Sequence, residues 1–231
     1  MKTYATLGPA CCRADLLTEL LDMGLTGFRL NLSHTTLAAC RPWTEAVQQA
    51  RAASGRPAEL IIDMRGPELR MGALPQPVPL AEGDSAILGP GGLPVEPDIL
   101  AAVTPGQEIL LDDGLIALRA ESCGRTVTCT VTRGGVLESR KSITLPGVEL
   151  CRPALTEQDL LDLDNAAGQG VTAVMQPFVR SRHELEQVRA ALARRGLEHL
   201  TIFAKIEDRQ GWQSLPQWMD ACDVVTVARG D

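Results

Sequence analysis

The strongest constraint in this 231-residue sequence is a strand–helix rhythm that is broken once and then resumes. Residues 3–7 (TYATL) read as a strand ending at Gly8-Pro9, and residues 14–22 (ADLLTELLD) set Leu16, Leu17, Leu20 and Leu21 on one helical face before Gly24. A strand near 27–32 (GFRLNL), a helix within 35–53 and a strand near 59–63 (ELIID) follow. Strands spaced by amphipathic helices predict a parallel sheet covered by helices, since a parallel pair needs a long crossover.

From about Met71 to Leu150 the texture changes to Gly, Pro and short alternating runs such as TVTCTVT at 126–132. These predict antiparallel strands spliced into the α/β chain. The GPGG at 89–92 lacks the Lys-Ser/Thr ending of a phosphate-binding loop and reads as a turn. The rhythm returns at Thr156, an N-cap for a helix over 157–167. Strand 171–176, helix 182–194, strand 201–206, a short helix near 212–221 and strand 223–228 complete it.

The expected fold is therefore α/β: an incomplete TIM-type (β/α) barrel of about six strands with an inserted small β-barrel lid domain. The expected boundaries are 1–70 and 151–231 for the barrel and 71–150 for the lid. A closed barrel of this type has eight strands. The end strands 3–7 and 223–228 are thus expected to leave open edges that invite a second copy or a partner chain.

Composition narrows the partners. Apolar residues make up 45% but aromatics only 3%, so the core must come from Leu, Val, Ala and Ile. A net charge of −7 and no Lys/Arg run argue against nucleic acid. The cysteines at 11, 12, 40, 123, 129, 151 and 222 form no Cys-x-x-Cys pair, which disfavours zinc and a disulfide framework. The N-terminus lacks the apolar stretch of a signal peptide, and no window approaches the roughly 18 apolar residues of a membrane span. A soluble, cytoplasmic protein with no membrane partner is the expectation.

The unusual polar residues cluster by position. Arg29, Asn31, Ser33 and His34 end the second strand, and Asp63, Arg65 and Glu68 end the third. Lys205 and Glu207 end the fifth, and Arg229 and Asp231 the sixth. In a β/α barrel those ends converge on the rim that carries chemistry. Residues two apart share a strand face, which pairs Arg29 with Asn31 and Ser33, Lys205 with Glu207, and Arg229 with Asp231. Charges aimed into an apolar barrel need partners or a ligand. Glu207 and Asp231 are hard ligands for Mg²⁺, Lys205 suits a phosphoryl group or a developing enolate, and Arg29 and Arg70 suit phosphate oxygens.

At these residues the sequence resembles pyruvate kinase. The segments are Ala5 to Pro9 (ATLGP), Phe28 to His34 (FRLNLSH), Ile62 to Arg70 (IDMRGPELR), Leu111 to Gly114 (LDDG), Lys141 to Gly147 (KSITLPG), Ala204 to Glu207 (AKIE) and Val227 to Asp231 (VARGD). The resemblance implies a conversion of phosphoenolpyruvate and ADP to pyruvate and ATP in glycolysis. It implies Mg²⁺ on Glu207 and Asp231, and K⁺ on Asn31, Ser33, Asp63 and the backbone carbonyl of Met64, with Glu68 going with the K⁺ requirement. It implies that Lys205 is the main catalytic cation and Arg29 a second one that contacts phosphate. Arg70 and the amides around Ala228, Arg229 and Gly230 would bind substrate, and Arg29, His34 and Lys141 nucleotide.

The chain departs from the family at Met64-Arg65, at Asp208, which adds negative charge beside the metal, and at Pro177 before Phe178-Val179. His34 also reads as a loop-ordering hydrogen-bond partner. Trp43, Trp212 and Trp218 read as packing residues. Other readings of the same residues stay open: a noncatalytic Mg-dependent binder of phosphoenolpyruvate-like metabolites, a lyase acting through a metal-bound enolate, or an inactive truncated copy.

Overall fold

The computed structural model describes residues 1–33, 35–148, 150 and 152–228. They divide into two compact units, Met1–Pro67 with Pro153–Asp231, and Glu68–Arg152.

The first unit opens with β1 (Tyr4–Thr6), α1 (Ala14–Asp22), β2 (Gly27–Asn31), α2 (Arg41–Ser54) and β3 (Glu59–Asp63). The second unit holds β4 (Val78–Leu80), β5 (Ser85–Leu88), α3 (Pro97–Ala102), β6 (Glu108–Leu111), β7 (Ile116–Ser122), β8 (Val127–Arg133), β9 (Gly135–Leu137) and β10 (Ile143–Thr144). The first then resumes with α4 (Glu157–Ala166), β11 (Ala173–Gln176), α5 (Arg182–Ala193), β12 (Thr201–Ile206), α6 (Arg209–Trp218) and β13 (Val224–Val227).

Its strands form one six-stranded parallel sheet in the order β1-β2-β3-β11-β12-β13, the arc of a β/α barrel. Period two sorts the sheet's residues into two faces. Phe28, Leu30, Leu60, Ile62, Val174, Ile202 and Ala204 join one core with Leu17, Leu21, Val47, Leu185, Val188 and Trp218 of the helices. The opposite face packs Ile61, Ala173, Met175 and Phe203 with Tyr4 into a smaller apolar layer. Each large apolar side chain buried this way contributes about 1.5–3 kcal/mol, which is what holds the helices on the sheet.

Helix starts are specified locally. Thr156 accepts from the Asp159 N–H while Asp159 accepts back, and Ser181 and Glu184 repeat that reciprocal pair at α5. The last helix begins at Arg209, earlier than the expected 212–221, because the Asp208 side chain accepts the Gly211 N–H at 2.7 Å and starts it. Trp218 is fully buried, but Trp212 is 63% exposed and is not a packing residue.

In the second unit a five-stranded sheet, β10-β6-β7-β8-β5, and the β4-β9 pair are antiparallel. Val127, Cys129 and Val131 alternate inward beside Ile109, Leu111 and Leu118. The 89–92 segment is a turn closed by Gly92 N–H to the Gly89 carbonyl at 3.0 Å. The helix α3 was not legible in the sequence. Among the described residues no helix is long and apolar enough to cross a membrane.

Candidate functional site

Charged side chains from β2, β3 and, across β11, β12 meet at the C-terminal side of the sheet. Asp63 closes β3, and its Oδ2 accepts from Arg29 Nε at 2.9 Å and from Arg29 Nη2. Arg29 also reaches Thr6 Oγ1 at 3.2 Å, tying the ends of β1, β2 and β3 together. Lys205 Nζ lies 3.6 Å from the same Asp63 oxygen and 2.5 Å from Glu207 Oε1. The result is a chain of alternating charge, Arg29–Asp63–Lys205–Glu207. Its carboxylates are deeply buried, with Asp63 3% and Glu207 4% exposed, while Lys205 and Arg29 keep 16% and 29%. The cations thus present the open side of an otherwise dry cluster, a geometry suited to an incoming anion.

Strand parity produces this arrangement. Thr6 pairs with Arg29, and Asn31 with Asp63, in the parallel register. Lys205 shares its face with Phe203 of the smaller apolar layer, so it emerges directly above that layer.

The loop after β11 reaches in from the side. The Phe178 N–H donates to Glu207 Oε2 at 2.9 Å, and Val179 N–H to the Lys205 carbonyl at 3.2 Å. Phe178 holds a φ of 53°, a left-handed conformation that costs a bulky side chain about 1–3 kcal/mol. Two glycines make room for this loop. A Cβ on Gly211 would stand 2.5 Å from the Val179 carbonyl, and one on Gly66 2.4 Å from the Pro177 ring.

The surroundings of Asp63 leave one oxygen that could meet a cation. Among the described residues Asp63 Oδ1 is buried with no hydrogen-bond partner. Asn31, beside it in register, already accepts the Ser33 N–H through Oδ1 at 3.0 Å, which folds Ser33 back toward the strand end. Met64 follows Asp63 and is buried, its N–H bonded to the Met175 carbonyl at 3.0 Å. A buried carboxylate oxygen is a hard donor of the kind that could receive a cation. Among the described residues no group of three or more His, Cys, Asp or Glu side chains could hold a metal.

The remaining expected site residues fall elsewhere. Arg229, Gly230, Asp231 and His34 lie outside the described residues. The Ala228 amide donates to the Ile206 carbonyl at 3.1 Å and is not a free donor for a carboxylate. Arg70 and Lys141 belong to the second unit, where Arg70 pairs with Glu68 at 2.7 Å and Lys141 with Asp112 at 2.9 Å and Glu138 at 3.6 Å. Asp208 is turned to capping α6 and to Arg180 Nε at 2.6 Å. Arg65 donates through Nη2 to the Thr35 carbonyl at 2.5 Å.

Sequence reasoning passed over the residues that hold the strand-end loops. Asp159 is fully buried and accepts the Arg65 and Gly66 N–H groups at 2.8 and 3.1 Å, besides capping α4. Its place three residues after Thr156 was the available signal. Asp162 accepts the Leu37 N–H at 2.8 Å, and burial pushes its carboxyl above the usual range. Burial and the neighbouring Cys11 push the Cys12 thiol up to about 11, so it stays protonated at neutral pH.

Comparison with known proteins identifies the family. The family model described as "Pyruvate kinase, barrel domain" matches residues 1–231. A pyruvate kinase of Aeropyrum pernix is 36% identical over 235 residues, covering 100% of this chain and 51% of its own length. One from Geobacillus stearothermophilus is 32% identical over 243 residues, covering 100% and 41%, and one from Mycobacterium tuberculosis is 34% identical over 240, covering 100% and 51%. The chain spans about half the length of the curated relatives it matches. Matched along all of its residues, with strand-end charges on a β/α scaffold, the chain belongs to the pyruvate kinase family.

Proposed function

We propose that this chain carries the metal- and phosphoenolpyruvate-binding part of a phosphotransferase that converts phosphoenolpyruvate, ADP and a proton to pyruvate and ATP. The observation that supports it most is Lys205 held between Asp63 and Glu207 at the strand ends, with Arg29 on the far side of Asp63. Phosphoryl transfer asks a protein mainly for cations fixed in place before the reaction begins. Lys205 and Arg29 meet that requirement, because their carboxylate partners hold them while their outer faces remain accessible.

In this reading Glu207 and Asp231 hold Mg²⁺, and Asn31, Ser33, Asp63 and the Met64 carbonyl hold K⁺. The ions, when bound, supply positive charge for the phosphoryl oxygens and the enolate. Lys205 steadies the enolate oxygen as the phosphoryl leaves it. Arg29 contacts the phosphate. Arg70, with the amides at Arg229 and Gly230, serves the substrate, and His34 and Lys141 serve the nucleotide. Strands added to the edges at β1 and β13, from the same polypeptide or a partner, complete the barrel wall.

The direct test is pyruvate formation from phosphoenolpyruvate and ADP with Mg²⁺ and K⁺ present, coupled to NADH consumption. Turnover that falls by about a hundredfold to a thousandfold in Lys205→Met supports the reading, on the scale of removing one transition-state contact. Turnover unchanged by that substitution, or none from the folded protein, rejects it. Tight Mg²⁺-dependent binding of phosphoenolpyruvate without turnover would instead favour a noncatalytic binder.

A further inference from the structure

The peptide unit between Pro177 and Phe178 is held at both ends. Gln176 Nε2 donates to the Pro177 carbonyl at 3.2 Å, and the N–H of the same peptide, on Phe178, donates to Glu207 Oε2 at 2.9 Å. Gln176 is itself 1% exposed, and its Nε2 also donates to the Ala154 carbonyl at 2.8 Å. The geometry points to a three-membered relay, side-chain amide to backbone peptide to carboxylate, through which Gln176 and Phe178 position Glu207 as a metal ligand.

Three features make this more than incidental contact. First, hydrogen bonds in series polarise one another, so donation to the Pro177 carbonyl makes the Phe178 N–H a stronger donor to the carboxylate. Second, the donor is aimed by backbone strain. A φ of 53° at a phenylalanine persists only where the surroundings over-determine it, and such positions concentrate at functional sites. Third, the loop has little freedom to relax. Ser214 Oγ donates to the Arg180 carbonyl at 2.6 Å, Glu184 Oε2 accepts the Arg180 and Ser181 N–H groups at 2.7 and 2.8 Å, and Gly211 leaves Val179 no spare room.

Glu207 therefore has one oxygen on Lys205 and the other on a fixed backbone N–H. A carboxylate held through both oxygens is fixed in orientation. A metal ligand held by such outer contacts loses affinity for its ion when they are removed, typically tenfold or more. Pro177 fits the scheme because its own missing N–H leaves only its carbonyl to satisfy, and Gln176 satisfies it. The step from relay to metal affinity rests on the reading of Glu207 as a Mg²⁺ ligand proposed above.

The test has two arms. In isotope-labelled protein without metal, a hydrogen-bond scalar coupling should join the Phe178 amide nitrogen to the Glu207 carboxyl carbon, and the Phe178 amide proton should resonate at low field. In Gln176→Met that resonance should move upfield, while the Ser181 amide, which donates to Glu184, stays in place. Absence of the coupling, or a Phe178 resonance indifferent to Gln176→Met, overturns the relay. The wild-type coupling needs no variant, so a poorly folding Gln176→Met does not protect the proposal. In the second arm Mn²⁺ titration should show about a tenfold larger dissociation constant in Gln176→Met than in wild type. Unchanged affinity in Gln176→Met overturns the positioning role. If wild type binds no Mn²⁺ while the coupling is present, the metal reading of Glu207 fails, the relay stands as a backbone device, and its role in metal positioning is overturned.

Discussion

Lys205 Nζ sits 2.5 Å from Glu207 Oε1, on two side chains that leave the same end of β12 two residues apart. Asp63 approaches the same ammonium to 3.6 Å from β3, two strands away across β11. One cation thus screens two buried carboxylates from each other. Removing it leaves both charges in a dry environment, the situation in which a buried pair becomes most costly to break.

Lys205→Met should therefore destabilise the first unit by about 3 kcal/mol, the lower end of the cost of stripping one partner from a buried pair, since the ammonium retains some solvent. Urea unfolding at neutral pH measures it. A double variant with Glu207→Gln should recover part of the loss. No recovery would show that the two side chains do not share one charge balance.

Gly211→Ala should lower stability by roughly 1–3 kcal/mol, the scale of overpacking, because its Cβ would stand 2.5 Å from the Val179 carbonyl. Thermal unfolding reads this out. An alanine tolerated without loss would mean that the loop carrying Phe178 is free to move.

Burial pushes the Asp162 carboxyl above its usual range, so the folded state holds that proton more tightly than the unfolded chain does. In the window between the two values the native state binds more protons, and stability falls as pH rises through it. Asp162→Asn keeps an acceptor for the Leu37 N–H and removes the buried charge. Its stability should equal or exceed that of wild type at pH 7, and the difference should shrink in acid. A gap that widens as pH falls would contradict this sign.

Tyr4 is the sole tyrosine, so phenolate absorbance reports it alone. Burial, then the hydrogen bond it donates to Glu59 at 2.8 Å and that residue's charge, raise its pKa from 10.0 to about 12. The absorbance at the tyrosinate band should stay low past the ordinary range and rise toward about 12. Glu59→Gln should bring the midpoint down. A midpoint at the free-tyrosine value would place the phenol in solvent.

Much of this could be read from residues alone, for a physical reason in each case. The two-residue period of a strand forces Arg29 onto the face of Asn31, and Lys205 onto that of Glu207. A rim cluster was therefore legible before any fold was known. Leu16, Leu17, Leu20 and Leu21 gave α1 because a 3.6-residue period has few alternatives. What stayed hidden depends on backbone conformation or on tertiary partners. The positive φ of Phe178 leaves no mark in residue type, since a phenylalanine there reads as ordinary loop. Asp208 read as charge beside a metal because nothing local says that its side chain turns to the Gly211 N–H and to Arg180. Trp212 read as core because its exposure follows from how α6 rotates on the sheet.

The most direct measurement of the central claim is Mn²⁺ binding by electron paramagnetic resonance, with and without oxalate as an enolate mimic. Wild type should bind Mn²⁺, more tightly with oxalate, and Glu207→Gln should lose at least tenfold in affinity, on the scale of disturbing a metal's ligand environment. Equal Mn²⁺ affinity in wild type and Glu207→Gln would contradict the account, leaving the Arg29–Asp63–Lys205–Glu207 chain as a structural ion network.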